Sequence, residues 1–132
     1  MSDFVGMAAS GWPINLFAQK AVIANGTAVS DIIPTQGKVL VGALMPAAWT
    51  AAALGFKTCL SSYPGGFKFV HTNGGVPMTT ATLTADTFVA FPSTDAIIVP
   101  FLQLASVTAN TSTGVNQGAE REVILLFRNY LD

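Results

Sequence analysis

Between Lys38 and Lys57 the chain runs VLVGALMPAAWTAAALGF, eighteen residues without a charge. Such a run must be shielded from water by lipid, by the protein's own interior or by a neighbour. As a helix it would reach about 27 Å, close to the hydrocarbon thickness of a bilayer. Its internal order argues against that. Pro46, near the middle, would remove a helical hydrogen bond and clash with the preceding turn, and Gly42 and Gly55 weaken both halves. Val39, Leu40 and Val41 favour an extended chain. The run therefore predicts a strand at about residues 38–45, a corner at MPAAW with room for one helical turn, and a second strand at about 52–60. The two are expected to fold back and pair, and no membrane span is expected.

The same period recurs elsewhere. In GFKFVH, Phe67 and Phe69 fall on one side of an extended chain and Lys68 and Val70 on the other. Near the end, Val123, Leu125 and Phe127 alternate with Ile124, Leu126 and Arg128, so both faces are apolar as far as the arginine. A two-layer protein covers only the inward face of a strand. The other face then needs a crossing segment or a neighbouring subunit. Asn25-Gly26, between KAVIA and TAVSDII, marks a two-residue hairpin whose two central residues both take positive φ. Further turns fall at PTQG, SSYPGG, TNGG and FPSTD. Strands are expected at about 18–24, 27–33, 38–45, 52–60, 66–71, 77–83, 86–91, 97–106 and 120–129. This is an all-β pattern, a β-sandwich of jelly-roll type formed by residues 18–132, preceded by an irregular N-terminal arm at 1–17. Trp49, Leu54, Phe56, Phe67, Phe69, Leu125 and Phe127 are the expected core, with Trp49 as a plug at the corner.

Only 10% of the residues are charged and 51% are hydrophobic, against about 25% charged in an ordinary soluble domain. A chain of 132 residues has one core. A lone monomer needs a hydrated charged skin, whereas a subunit that hides its outside against neighbours does not, so a homo-oligomer is expected. Phe4, Trp12 and Phe17 in the arm are the expected contacts between subunits, because the arm is too apolar for a free tail. The polar loop VTANTSTGVNQGA at 107–119 adds Asn116 and Gln117, whose amides can bond either within the sandwich or across an interface.

The basic residues Lys20, Lys38, Lys57, Lys68, Arg121 and Arg128 are scattered, which gives no nucleic-acid surface. With Cys59 as the one cysteine there is no internal disulfide, and no basic start precedes an apolar run as a secretory signal would require. The acceptor patterns at Asn25 and Asn110 read as turn chemistry. Catalytic and metal chemistry are weakly supplied. His71 and Cys59 lack a third orienting group, and a zinc site would need several symmetry-related copies of His71. Gly65-Gly66 and Gly74-Gly75 lack the GK[ST] ending of a phosphate loop, and Glu120 and Glu122 are separated by Arg121. No enzyme activity and no cofactor are expected.

Two segments carry a resemblance. Pro46, Trp49, Thr50, Ala52, Leu54 and Phe56 fit the pattern P-x-x-W-T-x-A-x-L-x-F, and Val115, Asn116, Gln117, Ala119 and Arg121 fit V-N-Q-x-A-x-R followed by alternating aliphatics. Over about residues 20–128 the chain resembles a group of small virion proteins of tailed bacteriophages. The resemblance implies a structural virion component of head decoration or cement type, oligomeric with a trimer favoured, binding the major capsid protein and made in the host cytoplasm. A tail or connector component is the near alternative. From a different class, a receptor- or sugar-binding jelly-roll module would use Trp12, Trp49, Tyr63 or Tyr130 as platforms.

Overall fold

A computed structural model of the chain describes residues 16–60, 66–91 and 99–129. Two four-stranded antiparallel sheets face each other. The first holds β1 (Leu16–Ile23), β8 (Arg121–Asn129), β3 (Lys38–Leu44) and β6 (Phe88–Ala90), in that order. The second holds β2 (Ile33–Pro34), β7 (Phe101–Val107), β4 (Ala53–Cys59) and β5 (Lys68–Phe69). There is no α-helix among the described residues, so the chain is an all-β sandwich. None of these residues forms a helix long and apolar enough to cross a membrane. The pairs β1·β8, β2·β7, β3·β6 and β4·β5 match the first half of the chain to the second in reverse order. Pairs β3·β8 and β4·β7 then join these into the two sheets.

The uncharged run supplies the middle of both layers. β3 and β4 are the extended segments its composition predicts, but they do not pair with each other. Each lies in a different sheet, and they face one another across the core. The corner between them is a series of bends with no helical turn. There the Met45 N–H donates to the Thr87 carbonyl (2.8 Å) and the Pro46 carbonyl accepts from the Asp86 N–H (2.8 Å). Pro46 sits where the chain has left the ladder, so its missing N–H costs nothing.

Alternation sets the core. Val123, Leu125 and Phe127 of β8 pack inward against Leu40 and Ala43 of β3, Leu54 and Phe56 of β4, and Leu102 and Leu104 of β7. Leu54, Phe56, Leu125 and Phe127 thus lie where the sequence predicts, and Phe67 is buried as well. Trp49 is only half-buried at the rim of this core, with its indole N–H donating to the Ala52 carbonyl (3.2 Å). Phe69 belongs to a second cluster, with Ala53, Ala105 and Val107 on the outer side of the second sheet, while Val70 packs on the main core. The register decides this. Phe69 pairs with Lys57, so its ring lies beneath the Lys57 ammonium (5.1 Å) and over Gly55, where a Cβ would stand 3.5 Å from it.

Two predicted strands take other forms. At Ala24–Thr27 the turn closes with the Thr27 N–H on the Ala24 carbonyl (3.1 Å), but only Gly26 has a positive φ (77°). A turn of that hand splays the chains that leave it. One antiparallel bridge to β1, Ile23 with Ser30, survives, with the Asp31 N–H on the Val22 carbonyl (3.1 Å), but residues 28–34 otherwise join the second sheet, where the Ser106 N–H donates to the Ala28 carbonyl (2.7 Å), the Ser30 N–H donates to the Leu104 carbonyl (2.9 Å), and Ile33 pairs with Leu102. Residues 77–83 run along β4 as isolated bridges rather than a strand. The Thr80 hydroxyl accepts the Leu54 N–H (3.0 Å), a side chain standing in for a ladder bond. β1 begins at Leu16, so Phe17, assigned to the arm from sequence, is part of the sheet and pairs with Phe127.

Truncating Leu125, fully buried at the centre of β8, is expected to cost about 2–5 kcal/mol. Leu44→Ala, at a side chain 46% exposed, is expected to cost less than about 1 kcal/mol. Urea unfolding of the two variants, monitored by circular dichroism, measures the difference.

Candidate functional site

Among the described residues, the groups able to do chemistry lie apart. His71 is exposed, its Nδ1 3.2 Å from the Phe69 carbonyl, and Cys59 is buried at the end of β4. Among the described residues no three His, Cys, Asp or Glu side chains come together as a metal site would require. Glu122 pairs with Lys20 (3.6 Å) at the surface, with both side chains about half exposed, an arrangement worth little to stability. Arg121 turns the other way, toward Gln117 and Thr50.

Gln117 is 1% exposed and uses every polar atom it has. Its Oε1 accepts from the Thr50 N–H (2.9 Å) and from Arg121 Nε (3.1 Å), and its Nε2 donates to the Thr50 carbonyl (3.0 Å) and Ser106 Oγ (2.7 Å). Its backbone N–H donates to the Thr27 carbonyl (2.9 Å), and its own carbonyl accepts from Gly26 (2.8 Å). One residue thus ties the Asn25-Gly26 turn, the β3–β4 corner and the start of β8 together. Of the two roles its amide could take, the structure shows the intramolecular one; no part of it is left for a neighbour. Asn116, next to it, is exposed.

The surface that remains unexplained is the outer face of the first sheet. Strand register places Lys20, Ile124, Leu44 and Phe88 side by side in one row across β1, β8, β3 and β6. The adjacent row is Ala18, Leu126, Gly42 and Ala90. Leu44 and Phe88 are 46% and 54% exposed, and Ile124 and Leu126 are partly exposed beside them. The Phe88 ring leans over Gly42, where an added Cβ would meet it at 2.5 Å. The result is an apolar ridge beside a row of small residues, with the Lys20–Glu122 pair at one border. The sequence exposes only half of this face, through the alternation in β8. Leu44 and Phe88 join it because pairing brings residues 44, 88 and 124 abreast, which no local pattern encodes.

A cleft opens between the free edge of β6 and residues 77–81 of the opposite sheet, with a volume of about 450 Å³. Phe56, Met78, Val89 and Phe91 line its apolar part, Thr79 and Asn110 part of its rim, and among the described residues no charged side chain borders it. Phe56 and Phe91 meet edge to face inside it, with centroids 5.7 Å apart. At the other end of the sandwich, Lys38 Nζ stands 4.7 Å above the Phe17 ring. Phe4 and Trp12, expected as subunit contacts, lie outside the described residues, as do Tyr63 and Tyr130. No family model, curated protein or solved structure matches the chain.

Gln117→Ala would strand several buried partners and is expected to destabilise by about 2–4 kcal/mol. Asn116→Ala is expected to change stability by no more than about 0.5 kcal/mol. Chemical denaturation of both variants separates the pin from its exposed neighbour.

Proposed function

We propose that this chain is a non-enzymatic assembly subunit, a structural component of a tailed-phage virion of head decoration or cement type. On this reading it acts by burying its apolar outside against sister copies and against the major capsid protein. The observation that carries the assembly role is the continuous outward row of Ile124, Leu44 and Phe88 on the first sheet. Single exposed hydrophobic residues are ordinary on protein surfaces, but a contiguous apolar strip marks a contact surface. Each stable contact of this kind buries on the order of 1,600 Å² in total, and a chain with 10% charged residues is suited to give up that much surface.

The jelly-roll form is part of the same proposal. Pairing of strands one with eight, two with seven, three with six and four with five is what a long hairpin rolled into two layers produces, and jelly rolls recur in viral shells and lectins. The virion assignment itself rests on the two sequence segments. In the structure, Trp49, Thr50, Leu54 and Phe56 of the first and Gln117 and Arg121 of the second serve the fold, and Gln117, Arg121 and Thr50 bond directly to one another. That contact gives the two segments a reason to occur together. A sugar-binding role is less favoured, because the Trp49 indole is half-buried and bonded to its own chain.

The full-length chain is expected to form a discrete oligomer, a trimer, in light scattering. Leu44→Lys with Phe88→Lys is expected to weaken association more than about tenfold, a loss above about 1.4 kcal/mol, with the β-sheet circular dichroism spectrum unchanged. A wild-type chain that stays a single copy and does not bind capsids would overturn the proposal.

A further inference from the structure

β6 is an edge strand that no described residue pairs with on its outer side. Its residues Phe88, Val89 and Ala90 include no charge and no proline, and among the described residues it pairs only with β3. Val89 stands opposite Ala43, the Thr87 carbonyl accepts the Met45 N–H, and the Phe91 N–H donates to the Val41 carbonyl (2.9 Å). Antiparallel pairing alternates, so the N–H and C=O groups of Phe88 and Ala90 point away from β3. Natural sheets blunt such edges with lysine, proline, bulges or a cover. This one instead adjoins the 450 Å³ cleft lined by Phe56, Met78, Val89 and Phe91.

A strand added here would bond to Phe88 and Ala90 through its backbone. Alternate side chains would enter the cleft, and the others would lie beside Phe88 on the outer face. The edge therefore selects an extended segment that is apolar on both faces and uncharged, since the described residues lining the cleft include no charge. The chain contains such a segment outside the described residues. From Phe4 to Asn15 it carries no charge, and FVGMAA within it is apolar on both alternations. Fifteen residues precede β1, a reach of about 50 Å when extended.

We infer that the N-terminal arm of a neighbouring copy adds as a strand to the β6 edge and fills the cleft. The inference rests on the assembly reading above and deepens it. Its geometry comes from the strand order. The arm leaves from β1 and the acceptor is β6, at opposite edges of the same sheet. Donor and acceptor surfaces that differ and lie on opposite sides give a head-to-tail contact, which closes into a ring when the rotation permits. Each copy then gives one arm and receives one, and the β6 edge is covered in every copy.

Two measurements on the full-length chain test this. Ala90→Pro removes the outward N–H without touching a bond to β3. It is expected to reduce the oligomer to single copies in light scattering while the circular dichroism spectrum is retained. In a Cys59→Ala background, Val5→Cys with Ala90→Cys and a short bismaleimide is expected to give covalent dimers and trimers on a denaturing gel. An Ala90→Pro chain that keeps the wild-type oligomer mass, or cross-links confined to single chains, would overturn the strand exchange. If the wild-type chain is oligomeric, either result leaves the assembly reading standing; a wild-type chain that is a single copy sinks the strand exchange, and sinks the assembly reading too where that chain also fails to bind capsids.

Discussion

The side-chain amide of Gln117 closes on both the N–H and the C=O of Thr50, and the rest of the sandwich is organised around that clamp. Thr50 lies in the corner that carries the chain from β3 in one sheet to β4 in the other. A corner of this kind has no ladder to satisfy its backbone, and buried peptide groups without partners are costly. Gln117 supplies the partners, and Ser106 and Arg121 complete its own hydrogen-bonding capacity. Its backbone meanwhile holds the turn at Asn25-Gly26, so three separate reversals of the chain share one anchor. A fully bonded polar group inside a sheet protein fixes one arrangement among many that hydrophobic burial alone would accept.

Given that anchor, the uncharged run resolves into its roles. β3 and β4 bring Leu40, Ala43, Leu54 and Phe56 into the interior from opposite layers. The small residues of the run do something else. Gly42 makes room for the Phe88 ring on the outside of one sheet, and Gly55 makes room for the Phe69 ring on the outside of the other. The same stretch therefore builds the core and shapes both outer surfaces.

Much of this was legible in the sequence, and the limits have physical causes. The strand, corner and second strand follow from Pro46 and the β-branched residues, and the inward side of β8 follows from the alternation of Val123, Leu125 and Phe127. Gln117 stood out as an amide with two available roles, but choosing between them needed Thr50, 67 residues away in sequence. The departure of residues 28–34 to the second sheet turned on the sign of φ at Asn25, which the dipeptide does not fix. Residues 77–83 read as a strand because their composition fits one; the Thr80 hydroxyl displaced the ladder bond that would have made it regular. Phe69 and Val70 exchanged sides because pairing with Lys57 outweighed the local preference to bury an aromatic ring. The apolar row was half visible, since Leu44 and Phe88 enter it only through register.

The character of that row bears on how a subunit of this kind would associate. Its flanking ion pair, Lys20 with Glu122, is neutral overall, and Arg128, two residues beyond Leu126 on the same side of β8, adds a single positive charge, too little to steer a partner strongly from a distance. Attraction must come from removing Ile124, Leu44 and Phe88 from water, a force that acts only on close approach and has no preferred orientation. Specificity then has to come from something directional, and the backbone of an unpaired strand edge is the directional element beside it. β6 supplies that edge next to the ridge, so the non-directional and directional parts of one contact lie on the same side of the molecule. An apolar face without the edge would associate in many registers; an edge without the face would gain too little from burial to hold a partner.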